Sequence, residues 1–165
     1  MQEGEVMRIH TSLLALALLM IWNNQPNCWR GIIPLRSTCE DVKRSLVVDS
    51  CTAPISRYTL PDFRVMVEFE NEACDSEPRA WRVPPGTVTA ITVSPRKEML
   101  PSEFGLDLSK YKRREDGEIV GLIHYESRDE GITAILYRGF VQTLYLYPRA
   151  SDEKMRCKPL KSLSP

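Results

Sequence analysis

The spacing of apolar and polar positions changes character several times along this chain. Residues 13–22 read LLALALLMIW, ten apolar positions without a charge. A membrane-spanning helix needs about twenty such residues, whereas ten is the length of a secretory signal core. Arg8 and His10 stand just before it as a basic flank, but Gln2 to Glu5 (QEGE) is acidic, so Met7 is a natural alternative start. The polar NNQPN that follows carries Pro26 and predicts a release region. Residues 1–27 therefore read as a leader that meets the membrane only in transit.

The next stretch has a period between three and four. Ser37-x-x-Glu40 has the form of a capping box, and Cys39, Val42 and Leu46 fall on one apolar face. A short helix is predicted from Ser37 to about Asp49, with Pro54 as a firm stop. Cys39 reads as a small core residue on that face.

After Pro54 the period falls to two. Phe63, Val65, Val67 and Phe69 alternate with Arg64, Met66, Glu68 and Glu70, as in a half-buried strand. Strands are predicted at 55–60, 63–70, 87–93, 119–126, 132–137 and 140–147. Pro61-Asp62 and Arg138-Gly139 mark tight turns, and SRDEG (127–131) marks a longer one. Residues 97–114 read as a mixed connector and 158–165 as a frayed tail. One helix followed by consecutive strands is an α+β pattern. A single domain over 28–157 is expected, with one short helix packed on an antiparallel sheet of about five to six strands.

Composition narrows the function classes. The chain has 165 residues and a formal net charge of zero, which argues against the clustered excess of Lys and Arg that nucleic acid requires. At 42% hydrophobic it has enough apolar content for a real core. Five cysteines without a CxxC pair, and two histidines, do not form a zinc pattern, and neither a metal nor a cofactor is expected. No phosphate-cradling GxxxxGK, GxGxxG or GxSxG elbow occurs.

His124 is the one histidine beyond the leader, so any thiol or hydroxyl nucleophile would depend on it. It sits in a strand pattern on the side of Val120 and Leu122, which predicts a partly buried, satisfied ring rather than a base. The enzymatic alternative is an exported enzyme using His124 with a nearby carboxylate, Glu126 or Asp129. The run KRREDGE (112–118) crowds both signs into one segment and reads as a solvated loop. Among the aromatics, Trp29, Trp81, Tyr145 and Tyr147 are candidates for a partner surface, with an ordinary core as the competing assignment.

Three blocks carry a resemblance. WRGIIPLRSTCEDV (29–42), WRVPPGTVTAITVSP (81–95) and Arg156-Cys157 resemble a group of small uncharacterised exported bacterial proteins. That likeness implies export and supplies no catalytic residue. The entry I-x-x-x-x-S-T-x-E-D-V (32–42) also resembles the outer-membrane assembly lipoprotein family BamE (SmpA/OmlA), in which a short helix leads into an antiparallel sheet. Here Ser45-Leu46-Val47-Val48 stands where that family has Leu-Gly-x-Pro, and no lipobox precedes Cys28.

Export would place the thiols in an oxidising compartment. Five cysteines allow many two-bridge pairings, which sequence alone does not resolve. Cys74 and Cys157 lie in polar segments at strand ends, within or beside the resembling blocks, and are favoured as one bridge. Cys28 with Cys51, flanking the helix, is the second candidate. The expected role is an exported, non-enzymatic module, periplasmic, extracellular or on the cell surface, binding a protein or envelope component through a sheet face or edge.

Overall fold

Alternation along the strands decides the architecture of the computed structural model, which describes residues 26–71, 74 and 80–157. The tail at 158–165 and all of the expected leader except Pro26 and Asn27 lie outside the described residues. Seven strands form one antiparallel sheet: β1 (Ile55–Thr59), β2 (Phe63–Phe69), β3 (Val88–Pro95), β4 (Lys112–Glu115), β5 (Leu122–Ser127), β6 (Ile132–Tyr137) and β7 (Phe140–Leu146). Their spatial order is β1-β2-β3-β7-β6-β5-β4. Two meanders, β1 to β3 and β4 to β7, are thus joined where β3 pairs with β7, Ile91 opposite Leu146. The α+β class holds, but the sheet dominates and exceeds the five to six strands expected.

The extra strand is β4, whose sequence KRRE reads as part of a solvated loop. All four of its residues are exposed. An edge strand needs only backbone pairing, and charge on an edge blocks unwanted partners, so no apolar period marks it. Conversely, Ile119 and Val120 do not begin β5. They lie in the turn before it, 52% and 94% exposed.

One face of the sheet is sealed. Phe63, Val65, Val67 and Phe69 of β2 join Val88, Ile91 and Val93 of β3 and Ile132, Ala134 and Leu136 of β6 in a single core. Besides the 27–37 segment, which contributes Trp29 and Ile32, two coverings lie over it. The first is α1 (Cys39–Leu46), which turns Val42 and Leu46 inward. The second is the β3–β4 connection, which must travel from the centre of the sheet to its far edge. It crosses the core face through two 3-10 turns, Pro101–Phe104 and Leu108–Lys110. Met99 C=O accepts the Val141 N–H of β7 at 2.9 Å, and the Phe104 ring stands edge-on to Phe63 at 6.0 Å.

The helix begins one residue later than expected. Thr38 is its cap: Asp41 N–H donates to Thr38 Oγ1, and Asp41 Oδ2 accepts the Thr38 N–H at 2.9 Å. Ser37 is buried, and its Oγ accepts the Ile33 N–H at 2.9 Å. Its carbonyl accepts the Val88 N–H at 2.8 Å, so its backbone is committed to β3 and its side chain to the preceding turn. Glu40, expected to close the capping box, pairs with Lys43 instead at 2.8 Å.

The second disulfide also differs. Cys39 is bonded to Cys51, with Cα atoms 5.9 Å apart, and Cys28 is a free thiol. Cys39 is half-buried at the start of α1 and packs against the core, and the segment after the helix turns back to bring Cys51 alongside. Cys28 is held at the Trp29–Ile32 turn, where it hydrogen-bonds the Gly31 backbone, and burial pushes its thiol pKa up. The favoured pair, Cys74 and Cys157, is joined with Cα atoms 5.2 Å apart.

Both ends of the described chain are fastened, one to residues 80–82 and the other to the end of β7. Arg82 N–H donates to Met155 C=O at 2.7 Å, and Cys157 N–H donates to Ala80 C=O at 2.9 Å, beside the Cys74–Cys157 bond. At the other end Asn27 is almost wholly buried, and its Nδ2 donates to Tyr147 C=O at 3.0 Å. Asn27 is therefore packed with the domain. Gly131 makes this junction possible: a Cβ there would overlap Tyr147 O. Two short turns repeat one sequence theme. Arg30-Gly31 after Trp29, and Arg138-Gly139 after Tyr137, have both residues at positive φ, and each guanidinium lies about 5 Å over the preceding ring, at 5.0 and 5.1 Å.

Val47 closes α1 at φ +55°, a left-handed position that disfavours a β-branched side chain, and it is 90% exposed. Val47→Gly should therefore raise stability by roughly 1–2 kcal/mol. Gly131→Ala should lower it by about 2 kcal/mol or more, because backbone rather than a flexible side chain blocks the new Cβ. Urea unfolding of the oxidised protein checks both signs.

Candidate functional site

The face of the sheet opposite the core has no α-helix over it among the described residues, and a 3-10 turn, Ala150–Met155, borders it beside Glu68, Ala90 and Tyr147. The ladder registers place Arg57, Met66, Thr92, Tyr145, Thr133, Glu126 and Lys112 in one row across it. The next row runs through Thr59, Arg64, Ser94, Thr143, Ile135, His124 and Arg114, with Ser94 Oγ and Thr143 Oγ1 3.4 Å apart. This face mixes hydroxyls, charges and half-exposed apolar groups, the composition of a surface rather than of a core.

His124 lies on it, with its side chain 18% exposed. Its Nε2 stands 3.4 Å from Asp116 Oδ2. That carboxylate is neither Glu126 nor Asp129, the two expected from sequence. Glu126 is two positions along the same strand, and Asp129 is in the β5–β6 turn. Asp116 reaches the ring because the β4–β5 turn folds it back: its Oδ1 accepts the N–H groups of Glu118 and Ile119, both at 2.9 Å. Those two backbone bonds, with His124 a lesser cause, hold its carboxyl below the usual range. The pair resembles half of a relay, but the disulfides occupy Cys39, Cys51, Cys74 and Cys157, and Cys28 is bound to the Trp29–Ile32 turn. Among the described residues no group of three or more His, Cys, Asp or Glu is arranged to hold a metal ion.

The four aromatics expected to share a partner surface separate. Trp29 is buried in the core layer, edge-on to Phe63 at 5.5 Å. Trp81 is also buried, beneath the Arg156 guanidinium at 3.9 Å. Tyr145 stands on the open face, 38% exposed. Tyr147 reaches the same face: its hydroxyl donates to Ile132 C=O at 3.2 Å and lies 3.3 Å from Thr133 Oγ1. Only the two tyrosines thus satisfy the expectation of one surface.

Two concavities border this face. One, of about 560 Å³, is lined by Trp81, Tyr147, Arg128, Asp129, Glu153 and Arg156 among others. Two of its charges are paired: Arg156 Nε and Nη2 donate to the two Glu153 oxygens at 2.8 and 3.0 Å, which lowers the Glu153 pKa. The other, of about 260 Å³, lies over β1, β2 and β3 and is lined by Arg57, Thr59, Arg64, Met66, Thr92 and Ser94 among others. Arg57 and Arg64 have no ion pair among the described residues.

Sequence reasoning missed Asp116 and the Arg156–Trp81–Glu153 cluster. Asp116-x-Glu118 before Gly121 could have suggested an Asx turn. Arg156 and Trp81 are 75 positions apart (156 − 81), and nothing in their local sequence links them. Compared with known protein families, curated proteins and solved structures, the chain matches none.

The lowered Asp116 pKa makes the β4–β5 turn tightest above the ordinary carboxyl value of 3.8, with that support lost as pH falls through the lower folded value. Amide protection at Glu118 and Ile119 should decline below pH 3.8, and Asp116→Asn should remove the dependence. Arg156→Ala should cost about 1 kcal/mol and shift Trp81 fluorescence towards that of a solvated indole, because the cation seals one face of the ring.

Proposed function

We propose that the chain is an exported, non-enzymatic binding module that holds a protein or envelope component against the open side of its sheet. The carrying observation is the asymmetry of that sheet. One face is sealed by α1 and the β3–β4 connection, and the other is left with Tyr145, Met66 and Ile135 only partly covered. Two disulfides support an oxidising compartment, and an apolar 13–22 segment ahead of the domain supports export. No helix among the described residues is long and apolar enough to cross a membrane.

The compartment is tested on protein taken from native cells with free thiols blocked at lysis. Mass spectrometry should find Cys39 linked to Cys51, Cys74 linked to Cys157, Cys28 carrying the blocking group, and an N-terminus between residues 23 and 27. A soluble cytoplasmic protein with residues 13–22 intact and every cysteine reduced overturns export. Binding is tested by cross-linking the tagged protein in its own envelope. A specific neighbour lost on Tyr145→Glu is expected, and a neighbour indifferent to every open-face substitution places binding elsewhere.

A further inference from the structure

The two edges of the sheet differ in how they treat a visiting strand. β4 is short, and its sequence is wholly charged. On its unpaired side Arg113 and Glu115 are tied to each other at 2.7 Å. Such an edge discourages pairing. β1 carries a single charge, Arg57, with prolines only outside its ends, and the hydrogen bonds at its ends show which of its backbone groups are free. Phe69 N–H donates to Pro54 C=O and Leu60 N–H donates to Phe63 C=O, both at 2.8 Å. With Ile55 opposite Glu68 and Thr59 opposite Arg64, these bonds set the alternation of the ladder. Ser56 and Tyr58 bond inward to β2. The N–H and C=O groups of Ile55, Arg57 and Thr59 point outward, and no partner for them exists among the described residues.

We infer that the β1 edge accepts an extended acidic segment of a partner protein as an added strand, with a carboxylate set beside Arg57. This rests on the reading of the chain as a binding module and names the chemistry of its partner. Residues whose backbone points outward from β1 turn their side chains to the open face, so a residue bonded to Arg57 would place its own side chain there too. It would meet Arg57 directly, with Arg64 one strand further in, at the groove of about 260 Å³ that Thr92 and Ser94 also line. Both guanidiniums lack an ion pair among the described residues. The one carboxylate of β2 on this face, Glu68, lies opposite Ile55, at the other end of the row. An apolar side chain is suited to that end, where Ile55 is 39% exposed.

A second copy of this chain fits poorly. Two β1 strands paired antiparallel with full overlap would set Arg57 against its own copy, and like charges directly opposite destabilise a strand pair. Pro54 and Pro61 bracket the edge and limit the added strand to about the length of β1.

The test uses the oxidised protein and fluorescent seven-residue peptides of alternating Thr and Val with either Glu or Lys at the centre. Anisotropy should show the Glu peptide binding about tenfold tighter. Arg57→Glu should reverse that order. Thr59→Pro removes an outward N–H while leaving every inward bond of β1 intact, so it should weaken both peptides about fivefold at unchanged melting temperature. Equal binding of the two peptides, indifference to Thr59→Pro, or amide shifts centred on β4 instead of Ile55–Thr59 would overturn the proposal. The envelope cross-link separates the two readings. A neighbour retained by both variants leaves the binding module standing and removes the edge. Charge-dependent peptide binding without any neighbour keeps the edge and removes the module.

Discussion

A seven-stranded sheet with one apolar face needs more cover than one eight-residue helix can supply, and most of the structure answers that shortage. A helix of two turns is marginal without packing, so α1 both protects the core and depends on it. The remaining cover is irregular chain: the 27–37 segment and the 96–111 connection. Irregular chain must satisfy its backbone polar groups individually. That is why Leu35 and Ser37 bond Val88, Met99 bonds Val141, and 3-10 turns replace a second helix. Covalent links then hold what packing holds weakly. Cys39–Cys51 fixes the start of α1 to the chain that follows it, and Cys74–Cys157 fixes the last described residues, closing a loop across 83 positions. In the chain-entropy model a loop of that length stabilises by roughly 4–5 kcal/mol, an upper figure.

What could be read from the sequence follows from how local each signal is. The period-two run of β2 was legible because burial on one face dictates every second residue. The Arg138-Gly139 turn was legible because two residues at positive φ demand glycine at one of them. β4 was not, since an edge strand in solvent imposes no apolar pattern. The helix cap shifted from Ser37 to Thr38 for a reason outside the helix: Ser37 is claimed by Val88 and Ile33. The amphipathic face was legible at Cys39, Val42 and Leu46, all of which pack on the core, but nothing in that pattern showed that Cys39 is joined to Cys51 rather than free.

The candidate site was less legible than the fold. Trp29 and Trp81 were grouped with Tyr145 and Tyr147 by residue type, and residue type does not say which layer a side chain enters. Tyr145 could be placed from strand alternation alone. Trp81 could not, since its position depends on Arg156, brought to it by the C-terminal pairing with residues 80–82. Asp116 reached His124 by a turn within a segment that looked like solvated charge. Side chains positioned by register were readable, and those positioned by loops were not.

The junction of Asn27, Gly131 and Tyr147 bears on the order in which the molecule can assemble. The first described residues close on a strand end 120 positions later, and the central pair, β3 with β7, joins segments about fifty apart. A chain emerging from its N-terminus can form the β1–β3 meander early, but it cannot complete its core until nearly all of it has been delivered. Until then the apolar face of that meander lacks most of its neighbours, and the partly made sheet gains little from closing. Such a polypeptide remains without its native cover for most of its synthesis, and its sheet closes only when the last strand arrives.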